Sequence, residues 1–128
     1  LKEIVSTGAA PAAIGPYSQA VRCGDLLFVS GQIPLDPETG AVLAGGITEQ
    51  AGRVMLNLQA VVVAAGGTMA HVVKTSCFLA DMNDFPTFND VYGRFFPEAP
   101  PARETVEVAR LPKDVRVEVS AVCWIPRP

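Results

Sequence analysis

An α+β fold, with two helices covering one face of a mixed β-sheet, is predicted by three features of this sequence. Two segments repeat apolar residues every three or four positions, as a half-buried helix does, and the segments around them are β-branched or alternate apolar with polar residues. Their order along the chain is strands, helix, strand, helix, strands. Composition is the third feature: 49% of residues are apolar and 18% charged, against roughly 25% charged in an average soluble domain. Two helices on one face would leave apolar surface uncovered, so the opposite face of the sheet is expected to pack against copies of the same chain. A length of 128 residues suits one domain spanning residues 1–128.

Lys2 to Ser6 is the first expected strand, followed by a loop rich in Ala, Gly and Pro from Ala9 to Pro16. Ser18 to Cys23 and Leu26 to Gln32 flank Gly24-Asp25, which reads as a hairpin. A surface turn is expected around Asp36-Pro37-Glu38-Thr39-Gly40. From Ile47 to Ala65, residues Ile47, Ala51, Val54, Met55, Leu58, Val61, Val62 and Ala65 form one helical stripe, with Thr48 as N-cap, Glu49 at the positive end of the helix dipole and Gly66 in the left-handed C-terminal position. Val72 to Ala80 is an apolar, β-branched strand.

Phe85, Phe88, Val91, Tyr92, Phe95 and Phe96 predict a second helix over Asp84–Phe96, capped by Asn83 or Asp84, with Pro86 tolerated in its first turn. Pro97, Pro100 and Pro101 end it. Glu104 to Arg110 and Val115 to Trp124, joined by Leu111–Asp114, are expected to form another hairpin. In the last strand Val115, Val117, Val119, Ala121 and Cys123 face one side, and Arg116, Glu118, Ser120, Val122 and Trp124 the other.

Several function classes are disfavoured. A net charge of −3 without a run of like charges weighs against nucleic acid or an anionic membrane as main partner. The longest apolar run, Ala60 to Ala65, is far short of a spanning helix, and the first residues do not resemble an export signal. Cys23, Cys77 and Cys123 stand apart in an odd number, which suits a reducing, cytoplasmic compartment. One histidine excludes metal cages that need several imidazoles, and no tight carboxylate spacing suggests another metal site.

Among candidate functional residues, Arg103 sits just after Pro100-Pro101 at the start of a strand, where restricted backbone would preorganise a guanidinium for a carboxylate; an internal ion pair is the competing role. Tyr17 follows Ile14-Gly15-Pro16 and could line a pocket or simply pack. Ser30-Gly31 closes a strand, and the glycine marks either close approach of a ligand or a bulge. Asn89 falls at helical spacing from Phe85 and Tyr92, placing its amide near the sheet. His71 and the three cysteines lack partners that would make a base or nucleophile.

Four separated motifs, Ala10–Val21, Ser30–Pro34, Asn83–Phe85 with Asn89–Tyr92, and Pro101–Arg103 through Val106–Asp114, resemble the RidA/YjgF family of reactive-intermediate deaminases nearly end to end. The resemblance implies a chorismate-mutase-like homotrimer with a central β-barrel and a cleft at each subunit interface. It also implies hydrolysis of 2-imino acids and their enamine tautomers, such as 2-aminoacrylate and 2-aminocrotonate, to 2-keto acids and ammonia, with no cofactor or metal. By motif, Arg103 would bind the substrate carboxylate, Tyr17 would wall the cleft, Ser30 and Gly31 would present backbone groups, and Asn89 would shape the pocket. Thr105 stands where relatives often carry Cys and would contribute its backbone N–H. Where relatives read Val-Glu-Ile-Glu-Ala-Ile-Ala, this chain has Val117-Glu118-Val119-Ser120-Ala121-Val122-Cys123. The second carboxylate, which the resemblance assigns to the attacking water, is Ser120. Ser120 is therefore expected to orient that water; metabolite binding without catalysis, and RNA cleavage, are the alternatives.

Overall fold

The stripe from Ile47 onward forms helix α1 (Ile47–Ala64) in the computed structural model, which describes residues 1–128. Ala51, Val54, Met55, Leu58, Val61 and Val62 have no exposed surface and form the centre of the core. Gly66 adopts φ +89°, and the amides of Gly66 and Gly67 donate to the carbonyls of Val63 and Val62 at 2.9 and 3.0 Å, closing the helix as expected. The N-cap is Gly46 rather than Thr48. Ile47 is already helical and the Gly46 carbonyl accepts from the Gln50 amide at 3.0 Å, so Thr48 lies inside the first turn, where its hydroxyl cannot cap.

One sheet holds β1 (Glu3–Val5), β2 (Ala20–Cys23), β3 (Leu26–Gln32), β4 (Val72–Leu79), β5 (Ala102–Glu107) and β6 (Val117–Trp124), in the order β1-β2-β3-β6-β4-β5. The β2–β3 hairpin turns at Gly24-Asp25 as predicted, with Gly24 at φ +58°. The second hairpin does not form: β5 is an edge strand parallel to β4, and β6 inserts between β3 and β4, antiparallel to both. Burial explains the difference. Val117, Val119, Ala121 and Cys123 are buried while Glu118, Ser120 and Val122 are half-buried, so β6 needs cover on both faces and both edges, whereas the charged β5 tolerates the rim. The chain returns from β5 to β6 past the end of β4, where Val108 N–H donates to Leu79 and Ala80 N–H to Arg116, at 2.9 and 3.0 Å.

Helix α2 (Phe85–Gly93) is shorter than predicted, because a 3-10 turn at Met82–Asp84 precedes it and only looser turns follow. Asp84 holds the N-cap position of α2, one of the two expected residues, but its side chain makes no capping bond; Asp81 caps the preceding 3-10 turn instead, accepting from Asn83 N–H at 2.8 Å. Both helices pack on the face carrying Val117, Val119, Ala121 and Cys123. The other face is open. Ile4, Val21, Phe28, Val122 and Lys74 lie side by side across it in register, with Ile4 58% and Phe28 46% exposed, and Trp124 beside them 53% exposed. No helix is long and apolar enough to cross a membrane.

Candidate active site

Two groups of polar residues stand out, one on each face of the sheet. The first is built where β5 meets α2. Arg103 is half-buried, its Nη1 donates to Asn89 Oδ1 at 2.9 Å, and its Cζ lies 4.8 Å from the centre of the Tyr92 ring and 5.4 Å from that of Phe85. No Asp or Glu pairs with it, so its charge is held by an amide and two aromatic faces and is not neutralised within the chain. The helical spacing of Phe85, Asn89 and Tyr92 places all three on one side of α2, as the sequence predicted for Asn89. Thr105, two residues beyond Arg103 on the same face of β5, has a buried hydroxyl without a hydrogen-bond partner.

The second group lines a cavity of about 470 Å³ bounded by Tyr17, Gly31, Gln32, Lys113 and Glu118, among others. Tyr17 is 53% exposed and its hydroxyl accepts from Ile14 N–H at 3.3 Å. Gly31 sits in a register shift between β3 and β6, so the bulge anticipated as one role for this glycine is present. Glu118 fills the space a side chain would take there, since a Cβ on Gly31 would overlap its carboxylate. Burial pushes the Glu118 carboxyl above the ordinary glutamate range. Ser30 contributes architecture: its hydroxyl donates to the Ser18 carbonyl at 2.5 Å, and its amide to Gln19 at 2.9 Å.

Arg103 and Asn89 are thus brought together, as are Tyr17 and Gly31, but the two pairs do not meet within one chain. Arg103 follows the side of Thr75, which bonds to Tyr92 of the helical layer, whereas Glu118 alternates with the helix-facing Val117 and Val119 and points to the open face. Ser120 shares that open face but does not line the Tyr17 cavity; it aligns with Ser76 of β4 and Glu104 of β5 in a polar row, where Ser76 donates to Glu104 and Lys74 lies 2.9 Å from it. Glu118, and not Ser120, lines this cavity. Strand parity puts both on one face, and the non-local bulge at Gly31 decides which one reaches the cavity.

Cys77 and Cys123 are buried, and desolvation pushes both thiols up to about 11, which makes them poor nucleophiles. His71 Nδ1 accepts from Thr68 N–H at 2.9 Å in a surface turn outside both groups. No three His, Cys, Asp or Glu side chains converge as metal ligands would.

This is an α+β domain with a half-open mixed sheet that keeps a cation and a carboxylate apart on its two faces. The Endoribonuclease L-PSP family profile matches residues 7–125. A RutC family protein of Pyrococcus abyssi is 50% identical, covering 96% of this chain and 97% of its own. The 2-iminobutanoate/2-iminopropanoate deaminase of Mus musculus is 46% identical over 95% of this chain and 90% of its own. Escherichia coli TdcF, solved with bound serine, superposes with a TM-score of 0.91 at 45% identity, covering 95% of this chain and 98% of that one. The chain belongs to the RidA/YjgF/L-PSP (RutC) family.

Proposed function

We propose that this protein hydrolyses 2-imino acids, and the enamines that tautomerise to them, to 2-keto acids and ammonia. It does so as a chorismate-mutase-like homotrimer whose open sheet faces pack into a central barrel. The observation that carries the reading is Arg103, a preorganised guanidinium without an internal counter-ion beside Asn89 and two aromatic rings. A small carboxylate is the ligand such a group fits through paired N–H donors. The name of the mouse relative points to the same substrates.

An iminium carbon is already electrophilic, so fixing the carboxylate and aligning a water supply much of the acceleration. Arg103 of one protomer holds the carboxylate, with the Thr105 backbone N–H beside it. Tyr17, Gly31 and Glu118 of a neighbouring protomer close the cleft from the other side, Ser30 keeping that wall in place. Glu118, with its raised proton affinity, takes a proton from water as the oxygen adds to C2. The proton then passes to the amino group, the C–N bond breaks, and the hydroxyl proton leaves with the nitrogen, so that iminium and water become ketone and ammonium. Glu118 supplies the base that a serine at position 120 cannot, which favours hydrolysis over metabolite binding without catalysis. Ribonuclease activity is disfavoured by the net charge of −3 and by a single histidine outside both groups.

Kinetics with 2-iminopropanoate and 2-iminobutanoate test the proposal. Arg103→Ala should lose about 30- to 1000-fold in rate, equal to roughly 2–4 kcal/mol for a charged hydrogen-bonded anchor. Undiminished ammonia release by that variant would overturn it.

A further inference from the structure

We infer that Tyr92 and Thr75 are positioning residues that fix the Arg103 guanidinium before any ligand arrives, and so set how tightly this site grips a carboxylate. The inference rests on the proposed role of Arg103 as the carboxylate anchor. Arginine is a flexible side chain on an edge strand here, and a group that must be ordered on binding weakens the complex. The contact from Nη1 to Asn89 fixes one corner of the guanidinium and leaves rotation about that corner free. What blocks the rotation is the aromatic packing, with the Tyr92 ring nearer, 4.8 Å from Cζ, and the Phe85 ring at 5.4 Å.

The ring is itself held. Phe88 and Phe96 flank it at centroid distances of 5.5 and 4.8 Å, and its hydroxyl lies 2.7 Å from Thr75 Oγ1. Thr75 is fully buried and Tyr92 is 6% exposed, so water cannot replace that bond. The only other partner of the Thr75 hydroxyl is the Cys77 thiol, at 3.8 Å.

Thr75 is also the residue on β4 that pairs in register with Arg103 on β5. Backbone ladder, threonine hydroxyl, phenol ring and guanidinium therefore form a closed circuit that returns to Arg103. With the Tyr92 and Phe85 rings against the guanidinium and Nη1 engaged, a carboxylate approaches in the guanidinium plane through the remaining N–H groups.

The test compares Tyr92→Phe, Thr75→Val, Thr75→Ser and Arg103→Ala in the full-length protein. Tyr92→Phe and Thr75→Val should each raise KM for 2-iminopropanoate, and weaken pyruvate binding, by about 5-fold, as loss of one neutral hydrogen bond does, with kcat nearly unchanged. Thr75→Ser keeps the hydroxyl and should restore wild-type values. Without substrate, NMR of the arginine side chains should show faster rotation of the Arg103 guanidinium in Tyr92→Phe and Thr75→Val than in wild type or Thr75→Ser. If both variants lose only thermal stability, with KM and guanidinium rotation as in wild type, the inference is wrong. Should Thr75→Val not fold, Tyr92→Phe against Thr75→Ser decides by the same readouts. Full activity in Arg103→Ala would refute the imino-acid reading alone, since guanidinium rotation is read with no substrate present.

Discussion

The Arg103 corner favours a charge, whereas the Glu118 cavity disfavours one. Arg103 is surrounded by neutral groups that favour a cation, an amide oxygen and two aromatic faces, and it stays half-exposed. Glu118 is desolvated against Gly31 with no hydrogen-bonding partner to favour its charge, so its proton affinity rises. Elsewhere in the chain opposite charges simply pair on the surface, as in Arg110–Asp114 at 2.6 Å and Arg127–Glu3 at 2.6 Å. The sheet keeps Arg103 and Glu118 from doing the same. A cation and a carboxylate that met inside one protomer would neutralise each other; separated, each remains available to a ligand.

The largest expected effect breaks the carboxylate half. Glu118→Gln should lower deaminase kcat by about 100- to 10,000-fold, the range of a lost general base, in steady-state ammonia release. The acid limb of the wild-type pH–rate profile should lie above the ordinary glutamate range, and a limb at or below that range would contradict the desolvated setting. Gly31→Ala should push the Glu118 carboxylate from its place and cost about 10- to 100-fold in rate, as displacement of a reacting group by an ångström does; crystallography of the variant would locate the carboxylate.

A thermal test sharpens the comparison further. Because the folded-state pKa of Glu118 is raised, its burial costs stability as pH rises through and above the ordinary glutamate range, where the unfolded chain has already released the proton. Glu118→Gln should therefore raise Tm at neutral pH, with the gain vanishing below that range. Ser120→Ala should change activity by no more than about 2-fold, as a substitution outside the reacting groups does. A larger loss would return Ser120 to the site.

Local patterning made most of the secondary structure legible. The stripe from Ile47 to Val62 and the Gly66 stop define α1, Gly24-Asp25 marks the first hairpin, and alternation in β6 assigns its faces. Strand order is harder to read, because Leu111–Asp114 looks like a hairpin turn between two alternating stretches, whereas the connection from β5 to β6 runs over nine residues. Only the need of β6 for neighbours on both edges sends it between β3 and β4. Motifs name Arg103, Asn89, Tyr17 and Gly31 directly, by residue type and order along the chain. Glu118 and Ser120 differ by one step of a two-residue repeat, and their contacts come from a register shift on another strand. The closed circuit through Thr75 was equally hidden, since it joins residues whose proximity depends on parallel pairing.

Placement of the two charges on opposite faces has a consequence for genetics as well as chemistry. In the proposed homotrimer an Arg103→Ala protomer and a Glu118→Gln protomer are damaged in different halves, so hybrids assembled from both would contain junctions where two intact halves meet. Co-expression of two inactive alleles should then regain part of the lost turnover, and dilution to the point of dissociation should abolish it.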